Sequence, residues 1–167
     1  MLGAQLRMFA LPAAWRPDAR RLLPDDPTVA SGPPLTRVFA LVYLSVLLVR
    51  SLIHLLAEDG GAQSIATIDL SVEGANNIVA MFGQWGAVQL ALGLLLTVLA
   101  VRYPGLIALV LASLTVELVL REVAGALKPV TTMGTAPGAA GNAPALVLVT
   151  AALLLSLCPR REREPAA

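Results

Sequence analysis

Residues 78–127 read IVAMFGQWGAVQLALGLLLTVLAVRYPGLIALVLASLTVELVLREVAGAL. Two apolar runs, Ile78 to Val101 and Leu106 to Leu127, flank Arg102-Tyr103-Pro104-Gly105. A bilayer core of about 30 Å needs about 20 apolar residues in helical form, so both runs are long enough to span it. Backbone groups in lipid must find partners within their own segment, which makes each run a helix. Pro104-Gly105 is turn chemistry, and it predicts an antiparallel hairpin. Upstream lies a third run, Val38 to Ala57, closed by Glu58-Asp59-Gly60-Gly61. Downstream lies a fourth, Ala145 to Cys158, which is short but precedes Arg160, Arg161 and Arg163. The prediction is an all-α polytopic membrane protein with four transmembrane helices in an antiparallel bundle. The spans are expected near 38–57, 78–101, 106–127 and 145–158, within a domain covering 35–158.

Composition agrees. Of 167 residues, 57% are hydrophobic and 14% charged, where soluble domains hold about 25% charged residues. Net charge is +1, without the basic stripe that nucleic-acid binding needs. Cys158 is the single cysteine, which excludes an internal disulfide. It reads as a small hydrophobe, with palmitoylation as the weaker reading.

Residues 1–34 differ in kind. Pro12, Pro17, Pro24, Pro27, Pro33 and Pro34 exclude a long helix there. Leu2, Leu6, Phe9 and Trp15 allow a short interfacial one. Val130 to Asn142 reads as an aperiodic linker. Ile68 to Glu73 alternates like an extended segment.

Basic residues set the orientation. Arg7, Arg16, Arg20, Arg21, Arg37, Arg102, Arg160, Arg161 and Arg163 fall on one side, and Lys128 alone on the other. The positive-inside rule then puts residues 1–34 and the basic tail 159–167 in the cytoplasm, and the acidic loop from Glu58 to Asn77 outside.

Charged groups in hydrocarbon cost about 2.5–3.5 kcal/mol each on insertion scales, so they need a reason. At the helical rise, measured from the cytoplasmic side, Arg50 lies at about 18 Å and His54 at about 24 Å. Gln84 lies at about 21 Å, Glu117 at about 17 Å, Arg121 at about 22 Å and Glu122 at about 24 Å. They gather in the outer half, while the cytoplasmic half is nearly all Leu, Val and Ala. Spacings of four put Arg50 with His54, and Ser113, Glu117 and Arg121, on single helix faces. Gly83, Ala87 and Ala91 form a small-residue stripe suited to close helix approach. The expected site is Arg50, His54, Gln84, Glu117 and Arg121, with Glu117 the counter-ion of Arg50 or Arg121. Structural pairing is the favoured role, and an outward-facing pocket the other. His54 has no second His or Cys at ligand spacing, so no metal is expected. Ser45, Ser51 and Ser113 read as helix serines bonded to their own backbone.

The stretch from Phe82 to Leu94, FGQWGAVQLALGL, followed by Val101-Arg102-Tyr103-Pro104-Gly105 and a further apolar helix, resembles the small four-helix membrane proteins of unknown function near the DoxX-like group. The resemblance covers roughly residues 35–157. It implies the four-helix fold and no particular activity.

No nucleophile–base constellation is visible, so an enzyme is the less favoured reading and no cofactor is expected. The expected role is a non-catalytic structural or accessory component of a membrane complex in a bacterial inner membrane. Its partners would be the lipid bilayer and another membrane protein or a second copy. The alternative is a membrane protein holding a lipid-like or quinone-like ligand in the outward pocket, with a redox link in the quinone case.

Overall fold

The computed structural model describes residues 15–159. The expected interfacial helix around Leu2, Leu6 and Phe9, and the tail arginines 160, 161 and 163, lie outside them. Four long helices follow in order: α1 (Pro34–Leu56), α2 (Ala75–Arg102), α3 (Ile107–Leu127) and α4 (Pro137–Ser156). No strand occurs among the described residues.

Local chemistry sets the boundaries. Pro34 starts α1 in its first turn, where a missing N–H costs nothing and φ is already helical. Gly74, at φ +81°, opens α2, a left-handed conformation that glycine tolerates without strain. Tyr103-Pro104 ends α2, and a 3₁₀ turn at Pro104–Leu106 leads into α3.

α1, α2 and α4 are long and apolar enough to cross a membrane. α3 has 21 residues, but Glu117, Arg121 and Glu122 interrupt its apolar composition. The fourth run is longer than its sequence suggests. The helix begins at Pro137, inside the stretch read as a linker, and reaches 20 residues with Pro144 in its interior. Proline at the first turn starts it, and Asn142 within the added turns bonds to α3. The alternation at Ile68 to Glu73 forms no strand: Ile68 to Leu70 are irregular and Ser71 to Glu73 bend and turn into α2, and no second strand is present among the described residues to pair with them.

α1 packs chiefly on α2, and α3 on α4, around one core. That core includes Ala40, Leu44 and Leu47 of α1, Leu96 and Ala100 of α2, Ile107, Leu111, Leu114 and Leu118 of α3, and Val149 of α4. The α1 seam runs through Ala40, Leu44, Leu47, Ser51 and His54, alternating steps of four and three as in coiled coils. The facing α2 seam is Gly86, Gln89, Gly93, Leu96 and Ala100. A Cβ on Gly86 would meet the Leu55 backbone N at 2.8 Å, and one on Gly93 would meet Leu47 Cδ2 at 2.7 Å. The close approach is therefore made by Gly86, Gly93 and Ala100. The expected stripe of Gly83, Ala87 and Ala91 is not the seam. Ala87 and Ala91 are exposed, and a Cβ on Gly83 would find its nearest neighbour only at 3.9 Å.

Residues 18–33 cover the end of the domain that holds the α1 N-terminus. Asp18 N donates to Leu157 O at 3.0 Å, and Gly105 N to Pro27 O at 2.8 Å. Arg21 donates to Ser31 O. At the same end Arg37 donates from Nε to Ala100 O at 3.2 Å and from Nη2 to Val101 O at 3.0 Å. A cation thus meets the last carbonyls of α2, where the helix dipole is negative.

Candidate functional site

The opposite end carries the polar side chains. Arg50 of α1 donates from Nη2 to Gln89 Oε1. Gln89 of α2, only 5% exposed, donates from Nε2 to Glu117 Oε1 at 2.6 Å. The same carboxylate oxygen accepts from Arg121 Nη2, one turn along α3, in an ion pair. Three helices are joined in one line of hydrogen bonds, with Gln89 presenting its acceptor to one cation and its donor to the anion. Neutral amides suit this place because they relay charge without adding any.

Trp85 lies one turn before Gln89 on α2 and serves both cations. The Arg50 guanidinium carbon is 5.2 Å from its ring centroid and that of Arg121 is 5.8 Å. Cation–π contact of this kind strengthens where water is excluded. His54 stacks on the same indole with centroids 4.8 Å apart, and meets Phe82 edge-on at 5.5 Å. His54 is 4% exposed, and its Nδ1 is 2.8 Å from Gly60 O. It packs α1 to α2 and, through Nδ1, ties the helix end to the following loop.

That loop is ordered by Asp59. Its carboxylate accepts from the N–H groups of Gly61 at 2.8 Å, Gln63 at 3.1 Å and Ser64 at 2.7 Å. These bonds, Ser64 foremost, hold its pKa down at about 2. Gly60 and Gly61 turn the chain at φ +61° and +73°. A bond to the α3–α4 connection, from Met133 N to Thr67 O at 2.8 Å, completes this end.

Of the five residues expected from sequence, Arg50, Glu117 and Arg121 come together in the network, and His54 stands beside it. Gln84 does not join. It is exposed, and Gln89 occupies the place assigned to it. Five residues rotate a helix by about 140°, so the two glutamines face apart. Depth alone could not choose between them. The seven-residue repeat of Gly86, Gly93 and Ala100 could have, since Gln89 falls on that seam. Glu117 pairs directly with Arg121 and reaches Arg50 only through Gln89. Glu122 turns elsewhere and accepts from Asn142 Nδ2 of α4, a partner hidden in the stretch read as a linker. Ser45, Ser51 and Ser113 bond to backbone carbonyls four residues back, as expected. Cys158 is buried, as expected of a small hydrophobe.

No group of three or more His, Cys, Asp or Glu able to hold a metal occurs among the described residues. No family model, curated protein or solved structure matches the chain.

Proposed function

We propose that the chain is a four-span integral membrane protein, an antiparallel bundle with both termini in the cytoplasm of a bacterial cell. Its role is then that of a non-catalytic structural or accessory component of a membrane complex, seated in the inner membrane. The similarity to the four-helix proteins near the DoxX-like group belongs to this same proposal.

One observation carries it. Within the helices Arg50, Glu117, Arg121 and Glu122 each bond to another polar side chain, through Arg50–Gln89–Glu117–Arg121 and Glu122–Asn142. A catalytic acid or base needs a free position facing a reactant. Here Glu117 Oε1 is held by an amide and a guanidinium and its Oε2 is buried away from any reactant, while His54 is buried with its Nδ1 on Gly60. Conduction needs polar groups at every depth, and the core toward the α1 N-terminus is Leu, Val, Ile and Ala. The basic split and the seating of Arg37 on the last turn of α2 support the antiparallel, positive-inside arrangement.

The test is Glu117→Gln, which keeps shape and hydrogen bonding but removes the anion. The expected result is lower abundance or altered assembly, with larger membrane partners co-purifying with the wild-type chain in mild detergent. Full abundance and normal assembly, together with loss of a measurable turnover or flux, would make the cluster an active site instead.

A further inference from the structure

The network does not balance its own charge. Two guanidiniums meet one carboxylate, and Glu122, the other acid of α3, turns to Asn142 instead. One positive charge therefore remains uncompensated within a helix cluster whose outer surface is apolar.

The donors are not used up either. Each arginine gives Nη2 to the network. Each Nε is buried without a partner, and each Nη1 is neither buried nor hydrogen-bonded. Both cations sit on Trp85, which is itself 37% exposed. Exposed Val88, Val116 and Leu120 lie beside Gln89, Glu117 and Arg121 along their helices. The accessible donors therefore open onto an apolar surface.

Depth narrows the occupant. Arg50 is six residues before the end of α1 at Leu56, and Arg121 six before the end of α3 at Leu127, which is about 9 Å along each axis. The polar interface of a bilayer occupies about 5–7 Å on each side of its hydrocarbon core. Both guanidiniums thus lie below the level where phospholipid phosphates meet their acyl chains, a gap that local thinning of the bilayer around a buried arginine closes. An acidic lipid drawn to the pair brings a net negative charge, and its tails cover the flanking valines and leucines.

We propose that Arg50 and Arg121, stacked on Trp85, bind the phosphate of an acidic phospholipid, which supplies the second negative charge that the cluster lacks. The inference rests on the membrane-spanning reading, and its test separates the two. Guanidinium suits the role because its fork matches phosphate geometry.

Trp85 is the reporter. The full chain carrying Trp15→Phe is reconstituted in vesicles containing brominated phosphatidylglycerol or brominated phosphatidylcholine at equal mole fraction, and indole quenching is read. The expected result is an about fivefold preference of the Trp85 site for the anionic lipid, following the usual strength of one basic residue at an anionic membrane surface. Arg121→Gln removes most of the preference, and Arg102→Gln, at the far end of α2, leaves it unchanged. Equal quenching by the two lipids in the Trp15→Phe protein overturns the proposal, whatever the other variants do. Loss of the preference on adding millimolar inorganic phosphate at constant ionic strength overturns the lipid as occupant and assigns a free oxyanion. Absence of quenching by either lipid overturns the membrane-spanning reading itself, and the site with it.

Discussion

At the end of the domain that holds the first turn of α1, the helices meet through apolar side chains and main-chain carbonyls, to which Arg37 donates. Ala40, Leu44, Ala100, Ile107 and Leu111 fill the core there, and residues 18–33 bond by main-chain groups to Gly105 and Leu157. At the other end, the helices meet through charge. Arg50, Gln89, Glu117 and Arg121 run in one line under Trp85. The difference matters because the two ends fail differently. Truncating an apolar side chain leaves a void that its neighbours partly fill. A charge stripped of its partner in a dry site stays costly, because removing one member of a buried pair leaves the other uncompensated.

Glu117→Ala should show that asymmetry most strongly. It leaves Arg50 and Arg121 facing each other, with an expected loss of about 3–5 kcal/mol. Glu122→Ala should cost far less, since Glu122 is exposed and loses only Asn142. Unfolding of the purified variants in a graded denaturing detergent measures both. Equal losses would show that the network is no more buried than the bond between α3 and α4.

Gly86→Ala comes next. Its Cβ would press on the backbone of His54 and Leu55 at under 3 Å, and overpacking of this kind costs about 1–3 kcal/mol. Gly83→Ala has room and should be neutral. A thermal unfolding series on the two variants checks which small-residue stripe forms the seam.

Arg37→Gln tests the opposite end. It removes two bonds to α2 carbonyls but strands no buried anion, so an effect of about 0.3–1 kcal/mol is expected. A loss comparable to Glu117→Ala would erase the contrast between the two ends.

The smallest effect concerns pH. The three backbone N–H groups around Asp59 hold its carboxyl below the usual carboxylate range, at about 2. A depressed acid contributes stability that is complete above its unfolded pKa and fades as pH falls toward the folded one. Loop order around residues 59–64 should thus weaken between about pH 4 and 2. Hydrogen exchange at Ser64 would report it, and Asp59→Asn should lose that acid-dependent step. An unchanged acid profile in the variant would assign the transition to another carboxylate.

Much of this architecture is written in the chain. Apolar run length marks α1 and α2, Pro104-Gly105 marks the turn before α3, and the charges inside the apolar runs mark the end that holds the polar network. Each is a local property, fixed by hydropathy, by proline's missing N–H or by the cost of charge in lipid. Facing is not legible in the same way. Gln84 and Gln89 have the same chemistry within one helix, two small-residue stripes (Gly83, Ala87, Ala91 and Gly86, Gly93, Ala100) compete for its seam, and packing against α1 decides between them. The start of α4 at Pro137 is hidden because its glycines and alanines carry no apolar rhythm, and its added turns hold Asn142 against α3. Trp85 reads as an ordinary aromatic in sequence, because a ring's value to two cations depends on where α1 and α3 place them. The number of long helices and the polar character of one end follow from the content of short segments, so the chain alone specifies them. Which side chains become partners depends on the rotation of one helix against another, and that exists only once the helices have packed.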